Sequence, residues 1–333
     1  MQVNFTLYIL FFYFSRFLVR LALPIYLKKL CVKGFDKLHK GPVLLASNHS
    51  GSFFDAVVIG AIIRQPIFTL TRGDVFKKKA AAFWLRQIKL IPVFRGSEGR
   101  QYVKNHDVTV QEGYEAMKGG GAVIIFSEGV CVNEWRLRPL GKGTARMAYH
   151  TWYGDNALKN MGVVPTGVNY EHFRGPGKRV SLRFGDAILI NDIKTDPLEY
   201  ERWLREFNEI LERKMSAEVW SIPAELSKEE KAANLNALFA DCTVPAKGNA
   251  FQNALGWIGR TIHRPFYNFL ERKTAKLTAR SVFYDSVLFG MLMYLYPVAV
   301  VLLSLIIGAL VGWQAGLALF FALPILAWFG SHY

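Results

Sequence analysis

Short apolar runs alternate with longer amphipathic stretches between about residue 30 and residue 190. The runs predicted to be strands are 41–48, 66–72, 89–95, 122–126, 162–170 and 178–188. The stretches whose apolar residues recur with a helical period are 55–64, 76–88, 107–120 and 142–154. Because strands that alternate with helices indicate a sheet with crossover helices, the pattern predicts an α/β fold, a mostly parallel sheet flanked by helices.

The last part of the chain has a different pattern. From Ser286 to Ser331 it contains no Asp, Glu, Lys or Arg. Such a run is too long for one membrane span and fits two helices of about 20 residues each, with a break within 308–316. We therefore predict a C-terminal transmembrane hairpin over 281–333, with both ends on the same side of the membrane. The alternative is a helical pair buried in a soluble core, where so long a charge-free run is rare.

The N-terminal stretch 5–24 is rich in aromatic residues but contains Arg16 and Arg20, which share a helical face. A secretory signal would carry its positive charge before the apolar run. Residues 1–30 are therefore predicted to form an interfacial membrane helix, with Arg16, Arg20, Lys28 and Lys29 near lipid head groups. A membrane-spanning helix is the alternative.

The chain carries a net charge of +15 although 51% of its residues are hydrophobic. Basic residues beside long apolar runs are typical of a protein held at an anionic membrane, whereas a nucleic-acid-binding protein carries its charge on a polar surface. We expect membrane lipids as partners and no nucleic acid. Basic residues are frequent in 260–280, just before the hairpin. The positive-inside rule therefore predicts the cell (inner) membrane, with the domain before the hairpin on the cytoplasmic face.

The three cysteines, Cys31, Cys131 and Cys242, lie far apart in the sequence. No CxxC and no Cys/His cluster occurs, so neither a disulfide framework nor a zinc site is predicted. A reducing compartment is the expectation.

Polar residues follow several of the predicted strands. In parallel sheets, ligands bind beyond the carboxyl ends of the strands, so residues at these positions are candidates for a site. They are Asn48 and His49 after the first strand, Arg95 after the third, Ser127, Glu128 and Gly129 after the fourth, and Pro165, Thr166 and Gly167 after the fifth.

The stretch SNHSGSFFD places His49 six residues before Asp55. A histidine is a good base near neutral pH, and a carboxylate can fix its tautomer. Gly51 favours a turn between the two, and Ser50 or Ser52 can cap the following helix. Neither GxSxG nor HExxH occurs, so a His/Asp pair that activates a substrate hydroxyl remains. Taken alone, an ordinary loop histidine beside a helix-start aspartate is the alternative.

Arg95, Glu128 and Gly129 are further candidates for substrate binding. Arg95 can hold a phosphate through a planar, bidentate contact, or it can be a surface arginine. Glu128 can bind substrate hydroxyls and Gly129 permits close approach of the backbone, or both can belong to a strand-to-helix turn. The stretch GKGT lacks the spacing of a nucleotide-binding phosphate loop.

These segments together resemble the conserved blocks of the glycerolipid acyltransferases, the lysophosphatidate (PlsC-like) family. NHSGSFFD looks like the NHxxxxD motif, VFRG the second block, FSEGV the third and VVPTGVNY the fourth. Their order and spacing agree with the family, and the resemblance covers roughly residues 30–190.

The resemblance implies transfer of a fatty acyl group from acyl-CoA or acyl carrier protein to a lysophospholipid hydroxyl, most simply lysophosphatidate to phosphatidate. It implies His49 as the base, Asp55 as its orienting partner, Arg95 on the acceptor phosphate, and Glu128 with Gly129 at the glycerol site. No acyl-enzyme, metal or cofactor beyond the acyl donor is implied. The core is then 31–195, followed by a charged helical region at 196–280.

The chain also departs from the family pattern. FSEG replaces FPEG, and Val130 and Cys131 stand where the family has Thr and Arg, so Arg136 or Arg138 is a candidate to replace that charge. The acceptor can therefore be glycerol-3-phosphate or a lyso-aminolipid instead. A thioester hydrolase and a non-catalytic lipid-binding protein are the alternatives of a different class. Acyl-chain length, donor carrier and oligomeric state are left open.

Overall fold

The computed structural model describes residues 5–93, 106–244 and 248–333. Within these residues, seven strands form one sheet in the order β1-β7-β6-β2-β5-β3-β4. They are β1 (Leu27–Lys33), β2 (Val43–Ser47), β3 (Ile67–Arg72), β4 (Leu90–Val93), β5 (Ala122–Phe126), β6 (Gly162–Tyr170) and β7 (Lys178–Phe184). The helices are α1 (Phe5–Tyr26), α2 (Phe53–Ile62), α3 (Lys79–Gln87), α4 (His106–Lys118), α5 (Gly143–Tyr153), α6 (Tyr200–Ser216), α7 (Lys228–Leu238), α8 (Ala250–Thr278), α9 (Tyr284–Val311) and α10 (Trp313–His332).

The sheet is mostly parallel, as predicted. Strand β2 lies near its centre and pairs in parallel with β5 on one side and β6 on the other. The exception is β7, which is antiparallel to β6 and carries β1 at the sheet edge. Strand β1 was not predicted, because its sequence, LKKLCVK, mixes charged and apolar residues as a partly exposed edge strand does.

Helices cover both faces of the sheet. On one face, Phe54 and Ile59 of α2 pack with Leu23 of α1 and Phe289 of α9. On the other face, the core contains large side chains from α5 and α6, among them Trp152. Both faces of the central strands are thus buried, which explains their continuous apolar sequences.

Helices α9 and α10 are the two described helices that are long and apolar enough to cross a membrane, and only 11% of each apolar window is buried. They meet at Gly312, inside the predicted break, where φ is +130°. A Cβ at Gly316 would lie 2.5 Å from the Ser304 carbonyl oxygen, so glycine lets the two helices pack closely. Their exposure favours the predicted hairpin over a pair buried in a soluble core.

Helix α1 lies against α2 with its arginines facing the protein. Arg16 donates hydrogen bonds to the carbonyl groups of Gln65 and Ile63, and Arg20 donates to that of Ala61. Arg16 is half-buried by these contacts, whereas Arg20 remains exposed, so their proximity to lipid head groups is neither excluded nor shown by the hydrogen bonds. An apolar stripe is exposed elsewhere on α1, formed by Leu10, Tyr13, Phe14, Phe17 and Leu21. The interfacial location of α1 stays a prediction.

The structure contains a disulfide bond, although none was predicted. Cys31 in β1 is bonded to Cys242, which follows α7, with the two Cα atoms 5.8 Å apart. The expectation was wrong because a separation of 211 residues leaves no local spacing signal. The bond joins the edge of the sheet to the helical region at 196–280, and Cys131 is free.

Candidate active site

The end of β2 is fixed by Asn48, whose side chain makes the two backbone hydrogen bonds that a neighbouring strand residue would make. The Asn48 side-chain amide donates to the Val168 carbonyl at 3.1 Å, and its oxygen accepts from the Val168 N–H at 2.8 Å. Both contacts are buried, so the chain leaves β2 in a fixed direction. This places the next residue, His49, beyond the carboxyl end of the central strand, where parallel sheets bind ligands.

His49 and Asp55 form the pair that their spacing predicted. The distance between His49 Nδ1 and Asp55 Oδ2 is 2.9 Å. Because Nδ1 is engaged by the carboxylate, Nε2 is the ring nitrogen that can accept a proton. The His49 side chain is 18% exposed. Its ring stacks on Phe126 with 3.8 Å between the ring centroids, which holds the plane of the imidazole.

The Asp55 carboxylate is itself held by two further residues. Both oxygens accept from the Gly51 N–H, at 3.0 and 2.9 Å, and Oδ1 also accepts from the Tyr170 hydroxyl at 2.7 Å. Asp55 has no exposed surface. Its position is therefore set by the protein alone, and His49 is oriented before any substrate binds.

Glu128 lies beside this pair. Its carboxylate accepts from the His49 N–H at 3.3 Å and from the Arg138 N–H at 3.2 Å. Burial raises the pKa of Glu128 from 4.5 to about 7, although the two backbone hydrogen bonds and His49 oppose the shift. Gly129 has φ of +70°, which suits glycine at this turn. A protonated Glu128 can donate a hydrogen bond as well as accept one.

The raised pKa makes the stability of the protein depend on pH. The folded state binds the Glu128 proton more tightly than the unfolded chain, so this contribution is complete below about pH 4.5 and is lost as the pH rises through about 7. Glu128→Gln cannot ionise. We expect the variant to gain up to about 3 kcal/mol relative to wild type from about pH 4 to about pH 8. Unfolding midpoints measured across this range test this, and parallel curves would contradict it.

Some of the other candidate site residues do not lie where the sequence predicted. Arg95 lies outside the described residues. Pro165 and Thr166 do not follow a strand, as predicted, but pair with Ala46 and Ser47 inside β6. Only their placement after a strand was wrong, because the strand predicted over 162–170 is present in full as β6 and continues beyond the proline. Tyr170, at the actual end of β6, is the residue that reaches Asp55.

Residues of the altered third block are close to the site. Burial raises the pKa of Cys131 to about 12, with the Asp55 charge adding to the shift, so its thiol stays protonated and is a poor nucleophile. Arg136 and Arg138 both bind the Glu134 carboxylate, at 2.8 and 2.7 Å. These three side chains carry a net single positive charge, whereas the contact of Arg138 with Glu128 is made by its backbone N–H.

A second buried network lies behind the dyad, the pair formed by His49 and Asp55. Asp285, near the start of α9, accepts from the Tyr26 hydroxyl at 2.6 Å, from the Gly175 N–H at 2.8 Å and from Lys178 Nζ at 2.7 Å. Burial lowers the pKa of Lys178, and the ion pair with Asp285 opposes that shift. The Lys178 ammonium also lies 5.4 Å from the centre of the Tyr170 ring. Sequence reasoning missed Tyr170, Lys178 and Asp285, whose partners are distant in sequence.

Breaking this ion pair should destabilise the protein strongly. Lys178→Met would leave the Asp285 charge buried without its counter-ion, which we expect to cost about 3–5 kcal/mol. Adding Asp285→Asn removes the charge and should restore much of the loss. Denaturant unfolding of the single and double variants in one detergent measures both effects. A single variant as stable as wild type would show that the pair does not hold α9 to the sheet.

Among the described residues, no three His, Cys, Asp or Glu side chains cluster in a way that could hold a metal ion. The site itself holds a candidate base, His49, against a buried carboxylate, and the Glu128 side chain accepts a hydrogen bond from the His49 N–H.

Residues 29–169 match the family model described as Acyltransferase. No curated protein matches the chain significantly. Among solved structures, the chain is similar to the 1-acyl-sn-glycerophosphate (LPA) acyltransferase PlsC from Thermotoga maritima. That similarity has 15% sequence identity and a TM-score of 0.39, over 64% of this chain and 73% of that chain.

Proposed function

Because residues 29–169 belong to the acyltransferase family, we propose that this protein is a membrane-bound O-acyltransferase that esterifies a lysophospholipid. The favoured reaction converts lysophosphatidate to phosphatidate, with acyl-CoA or acyl carrier protein as donor. The observation that carries the proposal is the His49–Asp55 contact of 2.9 Å, with the carboxylate fully buried and oriented by Tyr170 and Gly51.

The geometry supports direct transfer. His49 Nε2 removes the proton from the acceptor hydroxyl as the oxygen attacks the thioester carbonyl carbon. A C–O bond forms, the C–S bond breaks, and the leaving thiolate takes the proton back from the imidazolium. Asp55 stabilises the imidazolium in between. The free cysteine near the dyad, Cys131, has a raised pKa, so it does not offer an alternative covalent route.

Acceptor binding is assigned to residues around the dyad. We propose that Glu128 binds a glycerol hydroxyl, that Gly129 gives the backbone room to approach it, and that Arg95 binds the acceptor phosphate. Glu128 is the best supported of these, since it accepts a hydrogen bond from the His49 backbone. It therefore lies within reach of any hydroxyl placed against the base.

A lipid acceptor also explains the apolar elements. We propose that α9 and α10 cross the membrane, that the exposed stripe of α1 lies in its surface, and that the sheet faces the cytoplasm. The basic residues of 260–280 support that side. A Cys31–Cys242 disulfide is uncommon on that side, where thiols are usually kept reduced. The site does not depend on the bond, because Cys31 lies in the edge strand β1, away from β2.

An acceptor panel tests the proposal. Purified protein in nanodiscs receives one acyl-CoA with lysophosphatidate, glycerol-3-phosphate, a lyso-aminolipid or no acceptor, and the lipids are analysed by mass spectrometry. We expect product with lysophosphatidate and none without an acceptor. Product with a phosphate-free acceptor instead would overturn the phosphate role of Arg95. Free fatty acid formed at the same rate without any acceptor would identify a thioester hydrolase and contradict the proposal.

A further inference from the structure

The N-terminus of α2, which carries Asp55, has no cap from its own segment. Ser52 stands at the N-cap position with φ of +58°, but its side chain makes no capping hydrogen bond. The expected cap from Ser52 is therefore absent. A helix N-terminus leaves backbone N–H groups without partners, and one that is buried needs a polar group from elsewhere.

That group comes from the first turn of α9. The Phe54 N–H donates to the Gly51 carbonyl within the turn at 3.2 Å, and Ser286 Oγ adds to this bond. The Ser286 hydroxyl accepts a hydrogen bond from the Phe54 N–H at 3.0 Å and donates one to the Gly51 carbonyl at 3.2 Å. One hydroxyl thus bridges both ends of the turn 51–54. The residues it joins are 232 and 235 positions away in the sequence.

The bridge leads directly to the dyad. Gly51, whose carbonyl is held by Ser286, donates its own N–H to both oxygens of Asp55. Asp55 in turn holds His49 at 2.9 Å. Three consecutive hydrogen-bonding steps therefore connect the hydroxyl of Ser286 to the imidazole.

The hydroxyl is held in place by the residue beside it. Asp285 is buried and bound to Lys178, Tyr26 and the Gly175 backbone. The first turn of α9 therefore cannot rotate or slide without breaking a buried ion pair, which fixes where the Ser286 side chain points.

We propose that Ser286 is a positioning residue of the active site, through which the first membrane helix holds the turn that aligns Asp55 with His49. The inference rests on the proposed acyl transfer for its assay. It means that the hairpin is more than an anchor, because the seating of α9 against the sheet completes the catalytic geometry.

Kinetics of Ser286→Ala test this proposal. Loss of the hydroxyl frees the turn by a fraction of an ångström to an ångström, and a misplacement of that size can lower turnover by about 10–100-fold. We expect that loss in kcat, with KM for acyl-CoA changed by less than about twofold, because the hydroxyl is engaged by the backbone of the turn 51–54. Ser286→Thr keeps the hydroxyl and should retain most of the wild-type kcat. Ser286→Val has the same shape as the threonine variant but lacks the hydroxyl, so it should not.

Ser304→Ala is the matched control. Ser304 lies on the same helix and is buried, but its hydroxyl has no hydrogen-bond partner among the described residues. We expect wild-type kinetics from it. If Ser286→Ala does not yield folded protein, the ratio of kcat between Ser286→Thr and Ser286→Val, each measured on monodisperse protein, carries the same test.

A double-mutant cycle distinguishes positioning from general support of the fold. If Ser286 acts through Asp55, Ser286→Ala should have little further effect on kcat in an Asp55→Asn background. Wild-type kcat in Ser286→Ala, or a full additional loss in that background, would overturn the inference. Either result can occur while wild type transfers acyl groups and His49→Ala does not. Failure of the proposed function would instead appear as a wild-type protein that makes no ester.

Discussion

Replacing His49 with alanine is expected to lower kcat for acyl transfer by about 10²–10⁴-fold. The variant retains Asp55, Glu128 and the membrane helices, but nothing is left to take the proton from the acceptor hydroxyl. Because the base acts mainly in the transition state, KM for donor and acceptor should change little. Steady-state kinetics in nanodiscs with both substrates varied measure the two effects separately.

A second histidine variant controls for the loss of an imidazole. His150 lies exposed on α5, and His150→Ala should behave as wild type. The fold of His49→Ala should also survive, since the His49 side chain is partly exposed. The Asp55 carboxylate loses one partner but keeps hydrogen bonds from the Gly51 N–H and the Tyr170 hydroxyl. Turnover within a few-fold of wild type in His49→Ala would remove the catalytic role.

Asp55→Asn is expected to lower kcat by about 10³–10⁴-fold. A neutral amide cannot stabilise the imidazolium, and its NH₂ group can donate to His49 Nδ1, which would put the ring proton on Nε2, where the base is needed. The side chains have nearly the same shape, so the fold should persist. Comparison of kcat with the unfolding midpoint separates the two effects.

Two further variants, Tyr170→Phe and Asp74→Asn, serve as controls for the Asp55→Asn result. Tyr170→Phe removes one of the hydrogen bonds to Asp55 and leaves the charge, so a smaller loss, about tenfold, is expected. Asp74 pairs with Arg72 at the surface, at 2.6 Å, and its replacement by asparagine should not change kcat. An Asp55→Asn enzyme with near-normal turnover would exclude the proposed pairing.

Much of the sheet and part of the site could be predicted from the sequence, because both depend on local patterns. Buried parallel strands need continuous apolar runs, so β2 and β5 were recognisable, and their ends meet at one edge. His49 and Asp55 lie six residues apart, within one strand–turn–helix unit, where local spacing determines geometry. Glu128 followed from the neighbouring strand by the same reasoning.

The residues that support the dyad were not accessible in this way. Tyr170 and Asp55 are 115 residues apart, and Ser286 and Gly51 are 235 apart. Such contacts depend on how β6 and α9 pack, which no local pattern encodes. Ser286 was visible only as the first residue of a charge-free run, and Lys178 as a charge at the start of a strand. In the sequence, each is recognisable only as a charged or hydroxyl residue at the boundary of a predicted element.

The central claim is direct transfer to a bound alcohol by His49, without an acyl-enzyme. Rapid mixing of wild-type protein with labelled acyl-CoA in the absence of acceptor, followed by intact-protein mass spectrometry and measurement of free CoA, tests it most directly. We predict unmodified protein and no burst of CoA until lysophosphatidate is added, when CoA and ester appear in equal amounts. An acylated protein that forms before the acceptor is added, with a matching burst of CoA, would contradict the account.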